Sequence, residues 1–161
     1  MNIRITAALA ALAALTACSS NDAASTAGAA TGSGSTATTS GVQPGSQEDL
    51  VANVGDRVFF ALAESSLSGE ARATLDRQAG WLARYPQPRV QLAGNADERG
   101  TEEYNLALGQ RRANAARDYL VARGVPSGRL ATISYGKNRP TALGSDEQAW
   151  SQNRNAITSV R

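Results

Sequence analysis

The chain has 161 residues, with 16 lysines and arginines against 14 aspartates and glutamates, so its formal net charge is +2 at neutral pH. Both signs are interspersed along the sequence, unlike the clustered basic face of a nucleic-acid-binding protein, and we expect no nucleic acid among its partners. The chain has no histidine and a single cysteine. This composition excludes His-dependent catalytic triads, zinc clusters and disulfides, and we expect neither a metal ion nor a cofactor.

The first 17 residues have the layout of a secretory signal peptide, because Arg4 precedes an apolar run from Ala7 to Leu15 and small residues follow it. The apolar run is too short to span a bilayer comfortably. Its end, Leu15-Thr16-Ala17-Cys18, resembles a bacterial lipobox. That resemblance implies cleavage before Cys18, a diacylglycerol on its thiol and acylation of the new amino terminus. A free cysteine in an ordinary signal peptide is the alternative.

Ser19 follows the cysteine at the position where retention in the inner membrane usually requires aspartate. The resemblance therefore implies a lipid anchor at Cys18 in the outer membrane, with the rest of the chain in the periplasm. Residues 18–49 consist mainly of Ser, Thr, Ala and Gly with hardly any charge. Such a segment cannot bury enough apolar surface to offset the entropy of ordering, so we predict a disordered linker. The folded domain is predicted over residues 50–161.

Strands and helices alternate in the predicted domain. Strands are predicted over residues 57–62, 89–94, 130–135 and 156–160, and helices over residues 68–85 and 102–123, with a single helical turn at 146–150. Ser66 or Ser68 is the predicted N-cap of the first helix and Thr101 that of the second. The order β-α-β-α-β-β indicates an α/β sandwich with helices on one face. The crossover units imply some parallel pairing, and the closing strand can add an antiparallel neighbour.

A charged turn follows the second strand and leads into a helix that carries arginines. Asp97, Glu98 and Arg99 lie in the turn, and Arg112 lies on the helix. A hydrolytic carboxylate pair is weakly supported, since adjacent acids in a turn diverge. The glycines do not form a phosphate-binding loop. Two interpretations stay open: a structural ion pair between Asp97 and Arg112, or a site for a ligand whose ammonium meets Asp97 and whose carboxylate meets Arg112.

Four segments of the domain carry a family resemblance. They are residues 95–101 (NADERGT), 104–105 (YN), 108–115 (LGQRRANA) and 134–137 (SYGK). With these motifs the sequence resembles the peptidoglycan-associated lipoprotein branch of the OmpA C-terminal-like family, over about residues 58–160. The resemblance implies a mixed four-stranded sheet with helices packed on it. It also implies non-covalent binding of the peptide stem of peptidoglycan, with no enzymatic activity.

The resemblance assigns individual residues to that stem. Its diaminopimelate end, which has an amino and a carboxyl group, is implied to lie between Asp97 and Arg112. The other residues implied to line the groove or to lie near it are Phe60, Arg99, Thr101, Asn105 and Leu108. Taken without the resemblance, Phe60 is a core aromatic residue, Thr101 a helix cap, Asn105 a first-turn polar residue and Leu108 a core leucine. Both interpretations stay open for these four residues.

The resemblance further implies a place in the Tol-Pal system, in envelope integrity and cell division. Peptidoglycan, TolB and other Tol-system or outer-membrane proteins are the expected partners. The alternative is a protein-interaction module that binds TolB with weak or no peptidoglycan binding. The chain departs from the family pattern at Asn95, where relatives often have histidine or tyrosine, and at Ala61 and Ala63, where many have aspartate. It also has Asn155 where a second arginine is frequent.

Overall fold

The computed structural model describes residues 42–161. The predicted signal peptide, Cys18 and most of the predicted linker lie outside these residues. The described elements are α1 (Gln47–Asn53), β1 (Arg57–Phe59), α2 (Gly69–Arg84), β2 (Val90–Asn95), α3 (Glu102–Ala122), a short 3-10 helix (Ser127–Arg129), β3 (Leu130–Gly136), α4 (Glu147–Asn153) and β4 (Asn155–Val160). Over this range no helix combines the length and apolar character needed to cross a membrane.

The helices begin at side chains that satisfy their first backbone N–H groups. The Ala71 N–H donates to Ser68 Oγ at 3.1 Å, and the Tyr104 N–H donates to Thr101 Oγ1 at 3.2 Å. Thr101 is therefore the N-cap of α3, as predicted, and Ser68, one of the two serines predicted for this role, is the N-cap of α2. The single helical turn predicted near the C-terminus is part of a longer helix, α4. Asp146 caps this helix, which continues to Asn153.

Helix α1 was not predicted. Ser46 caps it, and the helix begins at Gln47, ahead of the predicted domain boundary at residue 50. Its one large buried apolar side chain is Leu50, so the sequence shows no periodic apolar stripe. A polar contact adds to the packing, since Trp81 Nε1 on α2 donates to Asp49 Oδ2 at 2.9 Å.

The sheet is mixed, and its strand order is β1-β4-β2-β3. Strands β2 and β3 are parallel, and β4 is antiparallel to both β1 and β2. This confirms the predicted mixed four-stranded sheet. The first strand is shorter than predicted and ends at Phe59. After Phe60 the chain leaves the sheet through a turn in which Ala63 adopts a φ of 58°, in the left-handed region.

Helices α2 and α3 cover one face of the sheet, as predicted. The core between them and the sheet includes Leu75, Leu82, Leu92, Leu120 and Ala156. Helix α3 lies unusually close to β2, since a Cβ on Gly109 would come within 2.7 Å of the Gly94 carbonyl oxygen. This close approach brings the middle of α3, including Arg112, against the end of β2.

Candidate ligand-binding site

A small cleft lies where the loop after β1, the turn after β2 and helix α3 meet. Its volume is about 40 Å³, and it is lined by Leu62, Ala63, Asp97, Arg99, Tyr104, Asn105, Leu108 and Arg112. Five of the predicted site residues thus share one cleft. Phe60 and Thr101 do not line it.

Arg112 is fully buried, with 0% of its surface exposed, although it is an arginine. Its guanidinium donates to three backbone carbonyl oxygens: from Nε to Glu64 at 2.8 Å, from Nη1 to Asn95 at 2.8 Å and from Nη2 to Ala61 at 3.0 Å. A guanidinium has five N–H donors. Among the described residues these bonds leave one N–H on Nη1 and one on Nη2 for a ligand, which suits a carboxylate.

Burial also changes the acidity of Arg112. Desolvation lowers the pKa of its guanidinium to about 10, against a partial opposing effect of the Asp97 charge. The group therefore stays protonated at neutral pH. Its guanidinium carbon lies 5.2 Å from the centre of the Phe60 ring, which packs in the core. Phe60 thus supports Arg112 from behind.

Asp97 forms its ion pairs with two other arginines. Arg99 Nη2 lies 2.6 Å and Arg154 Nη1 3.4 Å from Asp97 Oδ2. No ion pair joins Asp97 to Arg112 in the described part of the chain, which excludes one of the two interpretations left open by the sequence, a structural pair between these residues. The reason is that Arg112 directs its bonded donors to carbonyls of the loop after β1 and of the end of β2.

The carboxylate of Asp97 is held in its charged form. Burial by itself would raise the pKa of Asp97, but hydrogen bonds from the Arg99 side chain and backbone N–H, with a further one from Arg154, keep it below the ordinary value. Asp97 is therefore ionised at neutral pH and paired with Arg99 and Arg154. A general acid needs a raised pKa instead.

Arg99 covers Asp97. Its guanidinium carbon stacks over the Trp150 ring at 4.0 Å, and Nη1 lies 3.9 Å from Glu147 Oε2. The side chain is 34% exposed. Arg99 thus pairs with Asp97 at the cleft and has a second acid, Glu147, within reach.

The remaining predicted residues have structural contacts of their own. Asn105 is buried, and its Nδ2 donates to the Arg99 carbonyl oxygen at 2.9 Å, which fixes the turn on α3. Leu108 is buried and lines the cleft. Thr101 caps α3. Asn105 and Leu108 therefore combine a packing role with a place in the cleft lining.

Sequence reasoning missed four contributors to this site. Leu62, Ala63 and Tyr104 line the cleft, and Arg154 binds Asp97 from behind. Tyr104 belongs to one of the motifs quoted above. Leu62 was assigned to the strand that the structure ends earlier.

Glu98 lies apart from this arrangement. Its carboxylate accepts a hydrogen bond from Trp150 Nε1 at 3.1 Å, and it does not line the cleft. The adjacent acids therefore do not form an opposed carboxylate pair. The cleft instead combines one carboxylate, that of Asp97, with two guanidinium groups, those of Arg99 and Arg112, which is an arrangement for binding charges.

The profile of the OmpA family matches residues 59–154. The chain therefore belongs to the OmpA family. Within that family it is similar to the peptidoglycan-associated lipoproteins. It is 61% identical to the one from Rhizobium meliloti over 115 residues, which are 71% of this chain and 65% of that protein. It is 48% identical to the one from Haemophilus influenzae over 100 residues, 62% of this chain and 65% of that protein. The matched region thus spans slightly less than two thirds of either relative.

Solved structures agree with this assignment. The crystal structure of the peptidoglycan-associated lipoprotein from Burkholderia pseudomallei matches with a TM-score of 0.64 at 42% identity, over 66% of this chain and 90% of that chain. The C-terminal domain of Helicobacter pylori MotB matches with a TM-score of 0.62 at 19% identity, over 66% of this chain and 84% of that chain. At that identity the second match shows the shared fold alone.

Proposed function

We propose that this chain binds the peptide stem of peptidoglycan non-covalently, without cutting it, and holds the diaminopimelate end of the stem in the cleft. One observation carries the proposal: a buried guanidinium with free donors and a charged carboxylate line the same small cleft. A side chain that ends in both an ammonium and a carboxylate matches these two charges.

Arg112 is the proposed partner of the ligand carboxylate. Its bonds to the carbonyls of Ala61, Glu64 and Asn95 hold the guanidinium in one orientation before a ligand arrives. A donor that is already oriented and desolvated loses little entropy on binding, and its charge is poorly screened. The two remaining N–H groups supply the hydrogen bonds to the carboxylate.

Asp97 is the proposed partner of the ligand ammonium, and this requires Arg99 to move. The cleft of about 40 Å³ has room for little more than a water molecule while Arg99 lies over Asp97. When the ammonium arrives, Arg99 exchanges Asp97 for Glu147, whose carboxylate is already 3.9 Å away. Arg154 stays on Asp97 and keeps the carboxylate in place.

The cellular role is proposed from the relatives and from the N-terminal sequence. The relatives are named as lipoproteins associated with peptidoglycan, and Cys18 is the proposed lipid anchor in the outer membrane. The chain would then connect the outer membrane to the cell wall, as part of the Tol-Pal system in envelope integrity and cell division. TolB and other Tol-system or outer-membrane proteins are the proposed protein partners.

Co-sedimentation of the full chain with purified sacculi tests the proposal. We expect wild type to be retained, and Asp97→Asn and Arg112→Lys to lose most of the retention. Arg111→Lys is the matched control, since Arg111 is the exposed neighbour of Arg112 and does not line the cleft. Equal retention of all four proteins would contradict the proposed clamp, in which Asp97 binds the ligand ammonium and Arg112 binds the ligand carboxylate. Release of soluble muropeptides from the sacculi would contradict binding without cleavage.

The anchor has its own test. Cys18→Ser removes the proposed attachment point of the lipid, and stable anchoring needs several acyl chains. The variant should therefore move from the membrane fraction to the soluble periplasmic fraction. Continued membrane attachment of this variant would contradict lipidation at Cys18.

A second candidate function is a module that binds TolB and not the cell wall. Two exposed side chains at the cleft favour this function: Leu62 is 57% exposed and Tyr104 is 46% exposed. Exposed apolar surface of this kind marks sites of protein–protein interaction. In this case the chain would bind purified TolB and would not sediment with sacculi.

A further inference from the structure

Four charged side chains of alternating sign form a closed ring beside the cleft. Asp97 Oδ2 lies 2.6 Å from Arg99 Nη2 and 3.4 Å from Arg154 Nη1. Glu147, in the first turn of α4, closes the ring. Its Oε1 lies 2.6 Å from Arg154 Nη2, and its Oε2 lies 3.9 Å from Arg99 Nη1. We call these four residues the charge ring. Glu147 itself does not line the cleft.

The charge ring has a buried half and an exposed half. The side chains of Asp97 and Arg154 are 6% and 9% exposed. Those of Arg99 and Glu147 are 34% and 65% exposed. Arg154 is held further because its Nε donates to the Phe60 carbonyl oxygen at 3.2 Å. Exposed ion pairs are weak, since solvent screens them and fixing long side chains costs entropy. Any rearrangement of the ring therefore takes place at Arg99 and Glu147.

The carboxylate of Asp97 is saturated with hydrogen bonds. Its Oδ1 accepts from the Arg99 backbone N–H and from Arg99 Nε, both at 3.2 Å. Its Oδ2 accepts from Arg99 Nη2 at 2.6 Å and from Arg154 Nη1 at 3.4 Å. An ionised carboxylate offers about four lone-pair sites. A ligand ammonium can therefore bind Asp97 only if it replaces the two bonds from the Arg99 side chain.

Helix α4 offers a second place for the Arg99 guanidinium. Trp150 and Glu147 both belong to this helix. The guanidinium carbon lies 4.0 Å from the centre of the Trp150 ring, and Nη1 lies 3.9 Å from Glu147 Oε2. A small rotation toward Glu147 can thus replace the contact with Asp97. Because Glu147 is the more exposed acid, its pair with Arg99 is the weaker one. The exchange therefore costs free energy, which lowers the affinity for a ligand.

We propose that Arg99 is a built-in competitor of the ligand ammonium for Asp97, and that Glu147 is a positioning residue that receives Arg99 when the ligand binds. The inference rests on the proposed function. Arg99 then lowers the affinity of the site although it lines the cleft. Glu147 raises the affinity although it touches no part of the ligand. The balance between these two residues sets how readily the stem is bound and released.

Isothermal titration of the full chain purified in detergent tests the competition. The probe is the stem tripeptide L-Ala-γ-D-Glu-meso-diaminopimelate. Arg99→Gln should bind it about fivefold more tightly than wild type, the upper range for a partly exposed ion pair. Arg111→Gln is the matched control, because it removes the same charge from an exposed position of α3 outside the cleft. This control should bind like wild type. A gain in affinity cannot arise from misfolding of the variant.

A second probe shows whether the competition acts at the ammonium. It is the same tripeptide with 2-aminopimelate in place of diaminopimelate, which keeps the carboxylate at the end of the side chain and lacks the ammonium. Arg99→Gln should bind this peptide no more tightly than wild type does. An equal gain in affinity for both probes would mean that Arg99 obstructs the cleft by its size, and the proposed competition for Asp97 would be wrong.

Glu147→Gln tests the second acid. In the wild-type background it should weaken binding of the diaminopimelate probe about threefold, because the displaced Arg99 loses its partner. In the Arg99→Gln background the same substitution should have little effect. Both backgrounds are needed, since Glu147 also pairs with Arg154. An effect of equal size in the two backgrounds would show that Glu147 acts through Arg154, and would overturn its role as the receiver of Arg99.

The result for wild type separates a failure of this inference from a failure of the proposed function. If wild type binds the diaminopimelate probe and Arg99→Gln binds it equally or more weakly, the competition is overturned and the proposed function stands. If neither wild type nor any variant binds the probe, the proposed function fails, and the competition fails with it.

Discussion

Removal of the Arg112 side chain should destabilise the fold as well as the site. The guanidinium joins the loop after β1, through Ala61 and Glu64, to the end of β2, through Asn95. In Arg112→Ala these three carbonyls lose their donor. Asn95 is buried, whereas Ala61 and Glu64 are exposed. Water can therefore replace the guanidinium at the two loop carbonyls more readily than at Asn95.

The magnitude follows from these contacts. An orphaned buried carbonyl costs about 1–3 kcal/mol. The deleted side chain also leaves a cavity in a fully buried position. The substitution also removes the buried, desolvated guanidinium of Arg112, whose pKa is lowered to about 10. Removal of this buried charge offsets part of the loss. We therefore expect Arg112→Ala to lower the free energy of unfolding by about 2–4 kcal/mol.

Urea unfolding followed by circular dichroism measures this change. Arg111→Ala is the control, because Arg111 is the exposed neighbour in the same helix. Surface substitutions of this kind change stability by less than about 0.5 kcal/mol. If Arg112→Ala is no less stable than Arg111→Ala, the carbonyl contacts do not hold the loops together. The Arg112 guanidinium would then not be preorganised for a ligand.

Three further predictions concern acidity, close packing and the first helix. The pKa of Asp97 in the folded protein lies below its ordinary value of 3.8. The ionised carboxylate therefore stabilises the fold at pH values above 3.8, and this stabilisation is lost as the pH falls through the pKa of the folded state. The difference in stability between wild type and Asp97→Asn should therefore shrink in acid, and a difference that stays constant would contradict the assignment. Gly109→Ala should lower the free energy of unfolding by about 1–3 kcal/mol, because the added Cβ meets β2. Gly80→Ala, whose added Cβ meets no neighbouring atom within 4 Å, should raise it by about 0.5–1 kcal/mol. Equal effects of the two substitutions would refute the close approach of α3 to β2. Trp81→Phe removes the donor to Asp49 that ties α2 to α1, and should cost about 1–2 kcal/mol in urea unfolding, with no change as the contradicting result.

The helices and strands of the core were predictable because their signals are local. Ser68 and Thr101 are N-caps in both the sequence and the structure. Helix α1 was missed because its packing depends on distant residues, among them Trp81 and its bond to Asp49. The early end of β1 was missed for a similar reason. The loop after it turns away from the sheet to bind Arg112, which lies far along the sequence.

The site was predictable in part of its membership but not in its connectivity. The sequence indicated that Asp97, Arg99 and Arg112 lie together, and the structure places all three in one cleft. It did not indicate which groups pair. The contacts of Asp97 with Arg154 and of Arg112 with the Ala61 carbonyl join residues that lie far apart in the sequence. Asn95 was notable in the sequence only as a departure from the family pattern. In the structure its side chain is buried and donates to Asn155 Oδ1, and its backbone carbonyl accepts from Arg112.

Isothermal titration of the full chain with two stem tripeptides tests the proposed clamp most directly. The peptides are L-Ala-γ-D-Glu-meso-diaminopimelate and L-Ala-γ-D-Glu-L-Lys, which differ only in the carboxylate at the end of the third side chain. If Arg112 holds that carboxylate, the lysine peptide should bind about 10–100-fold more weakly, the value of a charge-assisted hydrogen bond. Wild type and Arg111→Lys should both discriminate in this way, and Arg112→Lys should not. Equal affinity of wild type for the two peptides would contradict the central claim.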